Sequence, residues 1–414
     1  MFTNSLFYLF FNLAVKYVFM ISVDETYRFI DTYKKTYGTE MVPLLSSLNR
    51  TLAVDVKADR DFPPFDRVTM DGIAINSQAF ANGRRTFRVV SISAAGSVAQ
   101  TLHHTDDCVE VMTGTLLPLN ADVVIPYEQC DVKDGIANVT IEEIQPFQNI
   151  HQKGTDEKEG NVLVRDKTRI SPAHISVMAT VGMKEVAVYK LPSVAVCSTG
   201  DELVKIDEEP LPHQIRQSNV YLLMADLETE KIKADIYHLR DNKEDMKRML
   251  QDILQQHNVL LLSGAVSKGK YDFLPDVLAE LGMVTIFHRV AQRPGKPFLF
   301  GAIGEKLIFG FPGNPVSTFV CYHLYCKYWL CQCMYQPVKK LSAKLSVDIN
   351  LSSPLTNHVL VKIDYKEGEC LAEPIAFSTS GDIPSLLNAD GIISLPSRKE
   401  GFQKEDVVEV IPCR

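Results

Sequence analysis

The chain has 414 residues, 46% of them apolar and 23% charged, with a mean hydropathy of −0.02. That is enough apolar material for two to four packed domains of a soluble enzyme. With 43 basic against 51 acidic residues the formal charge is −8, which argues against a nucleic-acid-binding surface. Nine cysteines, at 108, 130, 197, 321, 326, 331, 333, 370 and 413, form no C-x-x-C pair, and several lie in apolar runs. They read as reduced packing residues of a cytoplasmic protein. Cys331 and Cys333 would point to different faces of a helix, which disfavours a metal site there.

Residues 6–15 are apolar enough for a signal core, but no basic segment precedes them and no small-residue cleavage site follows. They also fall short of the ~20 apolar residues of a spanning helix. Met20 precedes a good helix opening, so the working chain is expected to start there, with no export or membrane signal. Helices are expected over 23–36 and 41–52. Residues 59–147 change to short β-branched runs at 87–92, 108–112, 122–126 and 137–141, a β module. Polar turns and one helix, 173–180, follow to residue 190. From 193 strands and helices alternate: strands at 193–198, 234–239, 259–263 and 283–290, and helices at 219–230, 241–256, 272–281 and 316–334. An apolar strand pair lies around 298–311, and Gly282 is the expected helix stop. This alternation implies an α/β domain on a parallel sheet. Residues 338–414 return to short strands, a terminal β barrel or sandwich.

The chemistry gathers at strand ends, which form the ligand rim of an open α/β sheet. Ser263, Gly264 and Ser267 follow the 259–263 strand, where successive backbone N–H groups can face an anion. Arg289, Arg293 and Lys296 add local positive charge, suiting a phosphorylated or oxyanion substrate. Gly313 and Asn314, between Pro312 and Pro315, can expose N–H groups at a helix start; a rigid turn is an equally good reading. Glu202, Asp241 and Asp272 each follow a strand end. Alone, Asp241 and Asp272 read as helix caps. Together with Arg293 and Lys296 they suit a site where Mg²⁺ is held by one or two acids and substrate oxygens.

Seven blocks recur in order. They are P-P-F-D-x-x-x-M-D-G at 63–72, M-T-G at 112–114, G-x-D at 154–156, S-T-G-D-E-L at 198–203, S-G-x-V-S-x-G-x-x-D at 263–272, P-G-K-P at 294–297 and P-G-N-P-V-S at 312–317. Together they resemble the molybdopterin molybdenumtransferase family, whose eukaryotic relatives include the E domain of gephyrin. The resemblance covers roughly residues 20–414. It implies that adenylylated molybdopterin and molybdate react to give molybdenum cofactor and AMP. It places Asp71, Thr113, Asp156, Glu202, Asp241 and Asp272 at functional positions, with Asp241 and Asp272 on Mg²⁺. Ser263, Gly264 and Ser267 match the pterin phosphate cradle, and Arg293, Lys296, Pro297 and Ser317 an oxyanion pocket for molybdate. Chemically, a phosphate and a tetrahedral dianion both want fixed cationic donors. Ala265 stands where the family has a second glycine, and Lys268 and Lys270 add charge. Arg293 replaces a usual lysine. Lys362 is the nearest basic match in the last domain, and Ser380-Gly381 resembles a family pair.

The resemblance also implies a domain plan. Residues 20–35 join the α/β domain of 191–336, residues 36–58 and 148–190 form a small linker domain, 59–147 the inserted β module, and 337–414 the C-terminal barrel. It implies a homodimer whose cleft takes the α/β domain of one subunit and the β module of the other, and an upstream adenylyltransferase as pathway partner. Two other functions fit less well: an adenylyltransferase, which would need neither the β module nor the barrel, and a catalytically weak scaffold.

Overall fold

The structure, a computed structural model, describes residues 20–264, 273–351, 353–376 and 378–414. Residues 1–19 and the segment bearing Ala265, Ser267, Lys268, Lys270 and Asp272 lie outside the described residues. The chain divides into two compact units, one of residues 1–53, 167–171 and 185–414, the other of residues 54–166 and 172–184.

The larger unit is organised by a six-stranded sheet in the order Ala234–Leu239, Val194–Thr199, Val259–Ser263, Lys306–Phe311, Leu299–Ile303, Val284–Phe287. The first four strands are parallel, as the alternation predicts. The last two pairings are antiparallel: Leu299–Ile303 and Lys306–Phe311 form a hairpin, and Val284–Phe287 pairs with Leu299–Ile303, which alone runs against the other five. No crossover helix separates 303 from 306, so those two strands can pair only as a hairpin. Val194–Thr199 and Val259–Ser263 are buried along their whole length, the mark of strands covered on both faces. On one face Val196, Leu261 and Phe309 pack with Val220, Leu223 and Trp329. On the other, Cys197, Leu262 and Ile308 pack with Leu250, Ile253 and Val277.

Ser22 and Glu25 form a reciprocal capping box that opens the Val23–Thr32 helix. Its Asp31 accepts the Tyr328 hydroxyl at 2.8 Å. Ile21 bridges Val290. The helix expected over 41–52 is absent. Thr39–Pro43 is instead a strand paired antiparallel with Glu185–Tyr189, followed by a short 3-10 turn, Leu44–Ser47. Pro43 has no N–H to continue a helix, and the long-range ladder overrides local preference. The helix expected over 316–334 forms as Pro315–Cys321 and Lys327–Cys333 joined by a π turn, Tyr322–Cys326.

The terminal strands close into a barrel: Thr356–Lys366, Glu369–Pro374, Leu341–Leu345, Val407–Pro412 and Gly391–Leu395, which returns to Thr356–Lys366. Gln292–Arg293 joins it as a short parallel strand against Thr356 and Asn357.

The smaller unit carries a six-stranded sheet, Val123–Pro126, Gly72–Ile75, Asp107–Val111, Thr86–Ser93, Ile136–Val139, Cys130–Lys133. All four expected strands are present. An aspartate-glycine pair such as Asp71-Gly72 more often makes a turn, yet Gly72–Ile75 is a strand beyond those four. It is buried throughout, and a Cβ on Gly72 would overlap the Ile125 carbonyl. Gly72→Ala is therefore expected to destabilise this unit by about 1–3 kcal/mol through overpacking. A denaturant midpoint equal to wild type would show that the two strands part without cost.

Candidate functional site

The rim of the α/β sheet is built where its parallel strands end. Val194–Thr199 ends in Ser198 and Thr199 and Val259–Ser263 in Ser263, all buried. Gly264 follows at φ +96°, and a Cβ there would meet Thr199 Oγ1 at 2.7 Å. Its N–H donates to the Phe311 carbonyl at 3.1 Å, tying this strand end to the next. A Cβ on Gly313 would lie 3.9 Å from Gly264 Cα, so the two glycine turns face each other. Asn219, at the start of the Asn219–Thr229 helix, fastens them. Its Nδ2 donates to Ser263 Oγ at 3.0 Å and to the Gly313 carbonyl at 2.8 Å. Its Oδ1 is buried without a partner among the described residues. The rim thus offers backbone, hydroxyl and amide groups suited to a phosphate and a polar heterocycle.

The acids follow two neighbouring strands. Gly200, at φ +121°, leaves room for the Glu202 carboxylate to lie over it; a Cβ would collide with it. Asp241 donates its N–H to Asp201 Oδ1 at 3.3 Å. Burial, with the Asp201 and Glu202 charges, pushes the Asp241 carboxyl above its ordinary range. His238 Nδ1 lies 2.9 Å from Ser198 Oγ, and burial pulls the imidazole below its ordinary value against these carboxylates. The cap expected of Asp241 belongs to its neighbour. Asn242 accepts the Asp245 N–H at 3.1 Å, and the helix begins at Lys243. Among the described residues no three His, Cys, Asp or Glu side chains are gathered to hold a metal ion by themselves.

The cationic turn lies against the helix that follows Gly313: a Cβ on Gly295 would collide with Cys321 Sγ and lie 3.7 Å from the Ser317 carbonyl. Arg293 and Lys296 are exposed, Arg289 and Pro297 half-buried and Ser317 buried. Among the described residues none of the three cations pairs with a carboxylate. Asn314 differs from expectation. Its Nδ2 donates to Ser380 Oγ at 2.7 Å, and the Ser380 carbonyl takes the Val316 N–H at 3.0 Å. The helix start therefore offers fewer free N–H groups than the turn alone implies. Lys362 is exposed on the barrel strand Thr356–Lys366.

In the smaller unit, Asp71 Oδ1 accepts both the Thr113 N–H (2.6 Å) and its hydroxyl (2.8 Å), and these two bonds hold its carboxyl below the usual range. Asp156 Oδ1 lies 2.8 Å from His151 Nε2, whose Nδ1 is 3.1 Å from the Arg67 guanidinium. The short strand Arg67–Val68 runs between the two groups. Val68 bonds the Thr113–Thr115 turn through Gly114 N–H and Thr115 O, and Arg67–Val68 pairs with Ile150–His151. Sequence reasoning missed Asn219, Asp201, His238, His151 and Arg67 as site neighbours. Asp201 lay inside the S-T-G-D-E-L block; the others carry no local signal and are brought in by the sheet. Ser267 and Asp272 lie outside the described residues.

Three family models match in order: the MoeA N-terminal region (domain I and II) over 21–182, a probable molybdopterin binding domain over 195–331, and the MoeA C-terminal region (domain IV) over 342–413. A molybdopterin molybdenumtransferase of Synechocystis is 35% identical over 389 residues, covering 93% of this chain and 97% of its own. A molybdopterin molybdenumtransferase of Bacillus subtilis is 30% identical over 408 residues, covering 95% and 94%. The crystal structure of a molybdopterin biosynthesis MoeA protein from Pyrococcus horikoshii superposes with a TM-score of 0.82 at 28% identity, covering 96% of this chain and all of that one. Near-complete coverage in both directions places the whole described chain within one lineage: it belongs to the MoeA, or molybdopterin molybdenumtransferase, family.

Proposed function

We infer that this protein inserts molybdate into adenylylated molybdopterin, with addition of water across the phosphoanhydride, release of AMP and formation of molybdenum cofactor. The observation that carries the reading is the shared edge of the parallel strands. Facing glycine turns at Gly264 and Gly313, fastened by Asn219, stand there beside Glu202 and Asp241, and the cationic turn packs on the helix after Gly313. Ser263, Gly264 and Asn219 would seat the pterin phosphate. Arg293 and Lys296 would hold the oxyanion, their charges free of protein carboxylates among the described residues. Asp71 would serve from the β module and Asp156 from the linker segment after it, in a cleft of a homodimer built from both subunits.

Mg²⁺ is the proposed cofactor. A ring of protein ligands is not what that ion needs; one or two carboxylates with substrate phosphates suffice. Asp241 fits, since its carboxyl, raised chiefly by burial, also feels the Asp201 and Glu202 charges that a cation would offset, and Asp272 is the proposed second ligand. The bound ion supplies charge neutralisation at the phosphoanhydride. The setting is the cytoplasm, downstream of an adenylyltransferase. Among the described residues no helix is long and apolar enough to cross a membrane.

AMP release from adenylylated molybdopterin, dependent on molybdate and Mg²⁺, tests the reading; a folded protein that binds the pterin and releases no AMP would point to the scaffold role. Arg293→Ala and Lys296→Ala are each expected to raise the molybdate half-saturation about tenfold or more while leaving that of adenylylated pterin little changed. Half-saturation by molybdate at the wild-type concentration in both variants would move the pocket elsewhere. Asp241→Asn should melt higher than wild type at pH 7 without divalent cation. A raised folded pKa means the carboxylate's ionisation costs stability as pH rises through that value, so the gain should vanish in acid below the ordinary aspartate range. Mg²⁺ should raise the melting temperature of wild type more than that of this variant. For the shared cleft, mixing Asp71→Asn with Asp272→Asn subunits should restore about a quarter to half of the activity, one heterodimer cleft being intact. Confirmed subunit exchange with no regained activity would place each site in one subunit.

A further inference from the structure

The turn that presents Arg293 and Lys296 is held from beneath by a buried amide. Gln292 has no exposed surface, and its amide joins three elements. Nε2 donates to the Gly295 carbonyl at 2.9 Å and lies 3.4 Å from Cys321 Sγ on the following helix. Oε1 accepts the Tyr325 hydroxyl, from the π turn, and lies 3.0 Å from His358 Nε2 on the barrel strand. His358 Nδ1 is in turn 2.9 Å from Ser394 Oγ.

The donors can be assigned by elimination. A carbonyl only accepts, so Gly295 fixes which end of the amide faces it. Oε1 therefore faces Tyr325 and His358, and both must donate. His358 is then protonated at Nε2, and Ser394 donates its hydroxyl to Nδ1. Burial keeps this imidazole neutral, with a pKa pushed down to about 3. Both ends of the Gln292 amide are satisfied. Gly295, at φ +85°, has no room for a side chain between Gln292 Nε2 and Cys321 Sγ. The same segment is anchored through backbone as well: Thr356 N–H donates to the Ala291 carbonyl at 3.0 Å, and Gln292–Arg293 pairs with Thr356–Asn357.

We propose that Gln292, held by Tyr325 and His358, is a positioning residue that fixes the Arg293–Lys296 turn for its oxyanion, so that the C-terminal barrel acts in the chemistry through His358. This rests on the reading that Arg293 and Lys296 bind molybdate. Both cations are long and exposed, and a mobile backbone beneath them would add its own disorder to theirs. A buried clamp removes that part of the ordering cost before the ligand arrives. If the network served only to satisfy buried polar groups, its loss would lower the melting temperature and leave molybdate saturation unchanged.

The test is steady-state AMP release by the full chain, with molybdate and adenylylated molybdopterin varied separately and melting followed in parallel. Gln292→Met keeps the volume and removes the clamp. It should raise the molybdate half-saturation about tenfold, with kcat and the pterin half-saturation within about twofold. Since that variant leaves two buried donors unpartnered, Tyr325→Phe is the milder probe, removing one donor, with an expected shift of about threefold. His358→Gln, which keeps a donor for Oε1, should shift molybdate saturation less than His358→Phe. In an Arg293→Ala background, Gln292→Met should add less than it does alone. No molybdate shift in Arg293→Ala itself would sink the pocket reading. A shift in Arg293→Ala but none in folded Gln292→Met or Tyr325→Phe would overturn the positioning role alone, as would a full effect of Gln292→Met persisting without Arg293.

Discussion

A parallel strand covered on both faces has one exit for polar chemistry: the edge where it ends. Val194–Thr199 and Val259–Ser263 are buried from end to end, so neither can present a polar side chain along its length without the cost of desolvation. Their hydroxyls come last, at Ser198, Thr199 and Ser263, and glycines follow at once. The rest of the larger unit follows from this. Helices must cover both faces, which sends every crossover over the same edge and brings the loops together there. Asn219 and Asp241 stand near that edge because each opens or precedes a covering helix.

Charge at this edge is divided. The acids Asp201, Glu202 and Asp241 crowd one side, strongly enough that burial and mutual repulsion disturb Asp241. The cations lie on a different segment, after the antiparallel part of the sheet begins. Had they stood among the acids they would have formed ion pairs, and a protein-bound partner would compete with any substrate anion. The hairpin Leu299–Ile303 and Lys306–Phe311 achieves the separation, since it carries the chain from the cationic turn back to the Gly313 turn without another crossover.

Much of this was legible in the amino-acid order. Strands such as Val194–Thr199 and Ala234–Leu239 announce themselves by short apolar runs between turn residues, and the rim residues Glu202, Ser263, Gly264 and Gly313 fall at their ends. What was not legible depends on partners far away in the chain. The strand Thr39–Pro43 looks helical until Glu185–Tyr189 is there to pair with it. Gly72–Ile75 hides behind an aspartate-glycine pair that usually makes a turn, and the hairpin orientation could not be told from apolar runs alone. Asp241 looked like a cap because Asn242 beside it is an equally good one. Asn219 and Gln292 are ordinary amides in sequence; only the fold shows that one fastens two turns and the other supports a third.

The strand Gln292–Arg293 and its clamp have a consequence for how the protein is made. The turn is held on one side by Ile21, whose carbonyl accepts the Ala291 N–H at 2.7 Å, and on the other by Thr356, His358 and, through the imidazole, Ser394. Ser394 is about 100 residues downstream of Gln292, so at about 5–20 residues per second of translation the ribosome needs some further seconds before the last support exists. The α/β sheet can close on the chain already synthesised, while the cationic turn waits for the barrel. The scaffold and its charge therefore mature in a fixed temporal order, and a nascent chain halted before the barrel would carry a folded sheet with a cationic turn held from one side only.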